Sequence, residues 1–172
     1  MPQLVSAFVL AVLLVAPVAA HAGPPSWSKK IDGAGRFKIL KAFDDLAVLD
    51  KETGLVWEKT ATTAGTWRNA LRVCALRNTG GRMGWRMPSL EEILTLVDPN
   101  ETTPAMPDGA PFENVLGVDF WTAHTEQLDA TLAITVSLDV FQLESIPKTA
   151  VSRKVLCVRG PGGAAESVRG GE

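Results

Sequence analysis

The first residues whose types and spacing suggest chemistry are carboxylates clustered in the middle of the chain: Glu91, Glu92, Asp98, Glu101, Asp108, Glu113 and Asp119. Two such groups could hydrolyse a glycosidic bond. Calcium also prefers such oxygens, and its candidate ligands in one irregular segment are Asp98, Asn100, Glu101 and Asp108. A helix start and a solvated loop explain most of these acids, so a carboxylate-dependent saccharide hydrolase is the weaker hypothesis.

Nucleophilic catalysis would need a base, and His124 is the single histidine left once residues 1–22 are removed. It lies beside Thr122 and Thr125 in a predicted strand, where a surface or hydrogen-bonded histidine is the better interpretation. The two cysteines are too far apart in sequence for a zinc knuckle. We therefore expect no enzyme, no resident metal and no cofactor, with calcium kept as an alternative.

The first 22 residues, "MPQLVSAFVLAVLLVAPVAAHA", resemble a cleaved signal peptide ending in a small-x-small site. A membrane anchor is the alternative, but Ser6 and Pro17 interrupt an apolar run that is shorter than the ~20 residues a spanning helix needs. The sequence thus predicts an exported protein, periplasmic or extracellular, without a membrane span after cleavage. Its 17 basic and 19 acidic residues provide no basic field for nucleic acid.

The two cysteines, Cys74 and Cys157, would meet an oxidising compartment after export, where such a pair persists as a disulfide. Two unpaired buried thiols are the alternative.

The chain divides into a signal peptide (1–22), a loose leader (23–35), a folded domain (36–160) and a disordered tail (161–172). Within the domain, "RFKIL" at 36–40 predicts a strand, and 46–59 predicts a hairpin around the loop 51–54. A helix follows, with Thr66 as its N-cap and Gly80 or Gly81 as its stop. Its buried face is predicted to hold Trp67, Ala70, Leu71, Cys74 and Ala75.

The stretch "GWRMPSLEEIL" at 84–94 predicts the start of a second helix. Pro88 favours extended backbone before it, so Trp85 and Met87 should point one way and Arg86 the other. Ser89 and Glu92 have the spacing of a capping box. We expect Arg86 to pair with a carboxylate of the following loop; a solvated arginine is the alternative.

A long irregular loop, 98–112, separates this helix from three predicted strands, "DFWTAHT", "TLAITVSL" and "RKVLCVRG". The order of elements predicts an α+β domain with two helices and a mostly antiparallel sheet. A disulfide would join the first helix to the last strand.

Five segments in this order, "DKETGLVWEK", "TWRNALRVCA", "GWRMPSLEEILTLVD", "PFENVLGVDFWTAHT" and "KVLCVRG", resemble the Lcl C-terminal domain family. The resemblance implies a C-type-lectin-like fold in an exported bacterial protein, with the helix cysteine paired to the one on the last strand. The adhesin that gives the family its name binds sulfated polysaccharides, yet this chain has a net charge of -2 and reads "FWTAHT" where the family has a Ser-Ser-Thr run. Within these five segments, the residues that the resemblance marks as structural are Trp57, Trp67, Trp85, Pro88, Trp121 and Arg159.

Indole faces suit sugar rings, but these four tryptophans lie in predicted elements where burial is the better interpretation; Trp27 lies outside them. The function predicted is a binding or adhesion module that recognises a polysaccharide or envelope component through the 98–112 loop. The candidate ligand-binding residues are Arg86, Asp98, Asn100, Glu101, Asp108, Thr122, His124 and Thr125. The alternative is a structural or assembly subunit of an envelope complex that oligomerises through a strand edge or apolar patch; the sequence leaves the oligomeric state open.

Overall fold

The computed structural model describes Ile31 and residues 33–160. The predicted signal peptide (1–22), most of the predicted leader with Trp27, and the predicted tail (161–172) lie outside the described residues. Within the described part, no helix has both the length and the apolar character needed to cross a bilayer. The fold is α+β, with two helices and two mostly antiparallel sheets.

The first sheet has four antiparallel strands in the order β1-β2-β3-β9. They are β1 (Phe37–Ile39), β2 (Ala47–Asp50), β3 (Val56–Glu58) and β9 (Val158–Arg159). The predicted hairpin is confirmed: β2 and β3 pair, and Gly54 in their turn has a φ of 76°, a conformation that glycine adopts without steric cost.

Helix α1 (Trp67–Ala75) begins where predicted, because the Thr66 hydroxyl accepts a hydrogen bond from Asn69 N at 3.4 Å. Its fully buried residues are Ala70 and Cys74, whereas Ala75, predicted to be buried, is exposed. The two buried residues are four apart, so they share a narrow stripe and the adjacent Ala75 turns away from it.

The helix ends earlier than predicted, at Ala75 with Leu76 as its C-cap. Gly80 is therefore not the helix stop and instead allows close packing of two backbone segments. A Cβ on Gly80 would lie 2.3 Å from Phe43 Cα, and its φ is 57°. Only glycine fits a backbone that passes so close to another.

Helix α2 (Leu90–Leu94) has the predicted capping box. Ser89 Oγ accepts from Glu92 N at 3.2 Å, and Glu92 Oε2 accepts from Ser89 N at 2.9 Å. Ile93 and Leu96 are fully buried, so the acid-tipped segment after Pro88 packs its apolar side into the core, as its sequence pattern predicts.

The second sheet has five strands in the order β4-β8-β5-β6-β7. They are β4 (Thr62–Thr63), β5 (Asp119–Thr125), β6 (Leu132–Ser137), β7 (Gln142–Pro147) and β8 (Lys154–Val155). All neighbours are antiparallel except β5 and β8, which are parallel. The strands β4 and β7 were not predicted; β7 lacks alternation because most of its residues are exposed on both faces.

The segment 153–160, predicted as one strand, is two strands in different sheets. Its first half is β8 in the five-stranded sheet, and its second half is β9 in the four-stranded sheet. Leu156 and Cys157, both fully buried, form the crossing between them. Four consecutive buried residues from Val155 to Val158 reflect a chain that passes between two sheets, which a hydrophobic run alone cannot distinguish from one central strand.

The predicted disulfide is present between Cys74 and Cys157, with an S–S distance of 2.09 Å and Cα atoms 5.5 Å apart. It joins α1 to the crossing between the sheets and lies in an apolar cluster with Trp85, Trp121 and Val155. A second cluster around Trp57, Ile93 and Phe120 fills the space beneath α2. The covalent link therefore holds together the two sheets and the first helix, which frame the loop 98–112.

Candidate functional site

The loop 98–112 folds back onto the domain. Ala105, Met106 and Pro107 are buried, and Ala105 N donates to Leu138 O at 2.9 Å. The middle of the loop is therefore anchored beside the end of β6, and its two flanks border separate clefts.

The larger cleft has a volume of about 550 Å³, and we call it the loop cleft. Its polar lining residues are Glu101, Thr103, Asp108, Asn114 and Lys154. Its apolar lining includes Met106, Phe112 and Leu116. An apolar surface with a few convergent polar groups is the usual composition of a small-ligand site.

The electrostatic character of the loop cleft is slightly acidic. Two carboxylates, Glu101 and Asp108, face a single basic side chain, Lys154. The Lys154 ammonium donates to Asn114 O at 2.9 Å, so part of its hydrogen-bonding capacity is already used inside the protein. Such a lining favours hydroxyl or amino groups of a ligand over sulfate or phosphate.

The second end of the loop is held by Glu113. Its backbone N donates to Lys59 O at 2.9 Å and its O accepts from Ala61 N at 3.0 Å. Its side chain accepts from Lys59 Nζ and from Thr60 Oγ1, both at 2.7 Å. These two hydrogen bonds, first that of Lys59 and then that of Thr60, lower the pKa of Glu113 below its usual value. The loop is thus fixed to the segment after β3 by backbone and by charge.

The predicted calcium ligands do not share one cleft. Glu101 and Asp108 line the loop cleft, whereas Asp98 and Asn100 line a neighbouring cleft of about 420 Å³ with Arg36. Asp98 Oδ1 accepts from both the backbone N and the Nδ2 of Asn100, each at 2.9 Å, which is a local turn. Within the described residues, no three His, Cys, Asp or Glu side chains are grouped closely enough to hold a metal ion.

The basic residue of this second cleft, Arg36, is occupied by internal contacts. Its Nε and Nη2 donate to the two carboxylate oxygens of Asp50 at 2.9 and 2.7 Å, and Nη2 also donates to Thr95 O at 2.6 Å. Asp50, fully buried, also accepts from Thr53 Oγ1 at 2.9 Å. Asp50, the first residue of "DKETGLVW", therefore shapes the β2–β3 turn. Through Arg36 it also connects this turn to the end of α2.

Arg86 was predicted to pair with a carboxylate of the loop 98–112. In the structure its guanidinium pairs with Glu92 instead. The distances are 2.6 Å from Nη1 to Oε2 and 2.5 Å from Nη2 to Oε1. The capping box already turns the Glu92 carboxylate toward residues that precede the helix, so it meets the Arg86 side chain six positions earlier. Arg86 is half-buried and belongs to the frame, not to a ligand surface.

The three candidates on β5 lie away from the loop cleft and do not contribute to its lining. Thr122 is fully buried, and its hydroxyl donates to Ile134 O at 2.8 Å. Thr125 Oγ1 accepts from Lys148 Nζ at 2.8 Å. His124 is half-buried beside Glu126, whose pKa is lowered first by a hydrogen bond from Ser145, then by one from the backbone N–H of Gln127, and to a smaller extent by the electrostatic effect of His124. The loop and the end of β5, predicted to form one surface, are therefore separate.

The tryptophans of the family motifs are mainly structural. Trp57, Trp85 and Trp121 are buried as predicted, and Trp121 Nε1 donates to Gly65 O at 2.7 Å. Trp67 differs because it is only partly buried, and the Lys148 ammonium lies 4.3 Å from its ring centroid. Pro88 is buried, and its carbonyl accepts from Ala123 N at 2.8 Å.

Sequence reasoning missed Lys154, Asn114 and Phe112 as lining residues of the loop cleft. Lys154 is distant in sequence and reaches the cleft only because β8 runs beside β5. Phe112 is the last residue of the predicted loop, and an aromatic residue at that position is the one sequence signal for its role. In the structure its ring packs edge-on against Phe37, with centroids 5.4 Å apart.

The comparison with known families agrees with the motif order. The family model described as the Lcl C-terminal domain matches residues 46–159, which extends from β2 to β9. No curated protein shows a significant match to the chain. The matched region contains the disulfide, both helices and the loop cleft, so the candidate site lies within the matched family domain.

Proposed function

Because the chain belongs to the Lcl C-terminal domain family, we propose that it is an exported bacterial binding or adhesion module. Its ligand is a polysaccharide or another envelope component, which it recognises through the loop cleft. We further propose that its fold is C-type-lectin-like. The α+β architecture, the two helices and a disulfide from α1 to the closing strands are compatible with that fold.

One observation carries the proposal: an irregular loop forms an open cleft on a covalently locked frame. Loops that are positioned by a rigid scaffold are common sites of recognition. The cleft combines apolar surface at Phe112 and Met106 with carboxylates at Glu101 and Asp108. This chemistry supports a ligand that presents hydroxyl or amino groups, and it does not favour the sulfated polymers bound by the adhesin after which the family is named.

Export and the absence of catalysis are parts of the same proposal. A buried disulfide is typical of proteins that work outside the cytosol. His124, the base considered from sequence, does not line the loop cleft. Glu101 and Asp108 do share the cleft, so the hydrolase alternative is distinguished by analysing the bound saccharide for cleavage products.

The alternative, a structural or assembly subunit of an envelope complex, is supported by a different observation. The five-stranded sheet ends in β7, whose residues are mostly exposed on both faces. A subunit of this kind would form a stable assembly and retain no glycan.

The test is a binding screen of the exported, oxidised protein against a glycan array and envelope fractions, with and without calcium. We expect a ligand that is retained by the unsubstituted protein and lost, by about tenfold or more in affinity, in Asp108→Asn and Glu101→Gln. Asp45→Asn is the matched control, because Asp45 is exposed, lies outside the cleft and has a φ of 60° that asparagine tolerates. Equal retention by all variants, or no retention, contradicts the proposal.

A further inference from the structure

The edge of the five-stranded sheet at β7 is the longest open strand edge in the described part of the chain. β7 has six residues, whereas the other edge strands, β1, β4 and β9, have three, two and two. The open side of β9 is partly covered, since Val158 and Arg86 exchange two backbone hydrogen bonds of 2.9 Å. An uncovered edge offers unpaired N–H and C=O groups to another strand.

The register with β6 identifies the backbone groups that face outward. Lys148 N donates to Thr131 O at 2.9 Å, so the even-numbered residues of β7 turn their backbone groups toward β6. Along an antiparallel strand, successive residues turn their N–H and C=O groups to opposite sides, so the odd-numbered residues of β7 turn theirs outward. The outward groups are therefore the N–H and C=O of Leu143 and Ser145, and the C=O of Pro147.

The usual protection of an open edge is weak here. Proteins commonly guard edges with lysines, other charges, prolines or bulges; β7 has no lysine, and its protective residues are limited to the single charge of Glu144 and to Pro147 at its end. The pairing with β6 is regular over all six residues. Val140, Phe141 and Leu143, which are 59%, 48% and 45% exposed, form an apolar patch at its start.

We propose that β7 pairs antiparallel with β7 of a second copy of this chain, with the two-fold axis at Ser145. This register pairs Ser145 with Ser145, Leu143 with Pro147 and Glu144 with Ile146, so no like charges are opposed. It uses every outward N–H of the strand: those of Ser145 bind each other's carbonyl, and that of Leu143 binds the carbonyl of Pro147. The result is a sheet that continues across the dimer.

Several alternative registers are less favourable, for the following reasons. An axis at Glu144 would place two carboxylates directly opposite each other, which destabilises a strand pair. An axis at Leu143 would pair only three residues, because Phe141, with a φ of 46°, lies in the turn and cannot extend the strand. Axes between residues would oppose outward groups with groups that already bind β6.

The same register also explains where the exposed Phe141 would go. This register brings Gln142 of the second copy level with Lys148, so the preceding residue, Phe141, comes close to the cleft of about 510 Å³ that is lined by Trp67, Lys148 and Thr149. Lys148 O accepts from Trp67 N at 3.0 Å, so this cleft adjoins the end of β7. Each copy therefore offers both an exposed aromatic residue and an aromatic-lined cleft, and the contact is self-complementary. It does not depend on the ligand proposed for the loop cleft.

The test is sedimentation velocity of the oxidised protein over about 1 μM to about 1 mM. We expect a concentration-dependent dimer. Ser145→Pro removes the central outward N–H, a change that open edges tolerate, and should raise the dissociation constant about tenfold or more. Ser145→Ala is the matched control, because it loses the same hydroxyl contact with Glu126 at 2.5 Å but keeps the N–H.

A monomer at all concentrations, or equal dimerisation of Ser145→Pro and Ser145→Ala, overturns the proposal. If Ser145→Pro fails to fold, Phe141→Asn decides independently, since asparagine suits the left-handed backbone and removes only the ring. We expect it to stay folded by circular dichroism and to dimerise at least about threefold more weakly. Unchanged dimerisation of Phe141→Asn would overturn the proposed contact.

Discussion

Arg86 and Glu92 form a two-point ion pair at the start of α2, with N–O distances of 2.6 and 2.5 Å. The same carboxylate accepts the backbone N–H of Ser89 at 2.9 Å, and the Glu92 side chain is only 3% exposed. Arg86 in turn exchanges backbone hydrogen bonds with Val158. One buried carboxylate thus connects α2, the extended segment before it and β9.

Glu92→Gln should destabilise the protein by about 2–3 kcal/mol, because a half-buried guanidinium loses its counter-charge and the capping box weakens. Urea unfolding measures this loss. Glu91→Gln is the control: Glu91 is an exposed acid in the same helical turn, and its removal should cost about 0.5 kcal/mol. Equal losses in the two variants would contradict the structural role of the pair.

Gly80→Ala should be considerably more destabilising than Gly81→Ala. Both glycines have positive φ, 57° and 71°, but an added Cβ meets Phe43 Cα at 2.3 Å in the first case and nothing within 4 Å in the second. We expect losses of about 3 kcal/mol or more and about 1 kcal/mol, respectively. Thermal unfolding of the two variants side by side provides the measurement, and similar melting temperatures would show that the close backbone approach is not retained.

The disulfide should contribute about 4–5 kcal/mol, since it closes a segment of 83 residues in the unfolded chain. The double variant Cys74→Ala/Cys157→Ala, which leaves no unpaired thiol, should lose that amount in urea unfolding. Mass spectrometry of the protein treated with an alkylating agent should find no alkylated cysteine before reduction. Two reactive thiols, or a double variant as stable as the parent, would contradict the covalent frame.

The stability of the loop anchor should depend on pH through Glu113. Its pKa is lowered from 4.5, so its contribution is fully present above that value and is lost as the pH falls through the lowered value. Lys59→Met removes the Lys59 hydrogen bond, which is the largest cause of the lowered pKa, and should return the pKa of Glu113 toward 4.5. An NMR titration of the Glu113 carboxyl carbon measures this change. Thr60→Val should produce a smaller shift. An unchanged Glu113 titration in Lys59→Met would exclude the ion pair in solution.

Local features of the fold were predictable because their causes are local. Thr66 and Ser89 cap helices through contacts three residues away, and Gly54 closes a hairpin between adjacent strands. The family resemblance, confirmed over residues 46–159, rests on such short motifs in a fixed order. The disulfide was also predicted, because the chain has only two cysteines, which allow one pairing, and the predicted signal peptide favours an oxidising compartment.

The wrong or missing predictions concern features whose partners cannot be identified from sequence spacing. Arg86 had several acids within plausible reach, and the choice of Glu92 depends on the direction in which the capping box turns that side chain. β7 was missed because its residues are exposed on both faces, so no alternation of apolar residues marks it. The division of 153–160 into β8 and β9 was hidden because both strands and their crossing are buried alike.

By itself, the sequence determined the family, the α+β class, the helix starts, the hairpin and the cysteine pair, since each depends on neighbouring residues or on elimination. Only the tertiary structure decided that Asp98 and Asn100 lie in a different cleft from Glu101 and Asp108, and that Lys154 joins the latter. The position of the middle of the loop, at Ala105, is fixed by contact with Leu138, 33 positions away in the chain. Contacts of that range depend on how the sheets pack, which no local pattern specifies.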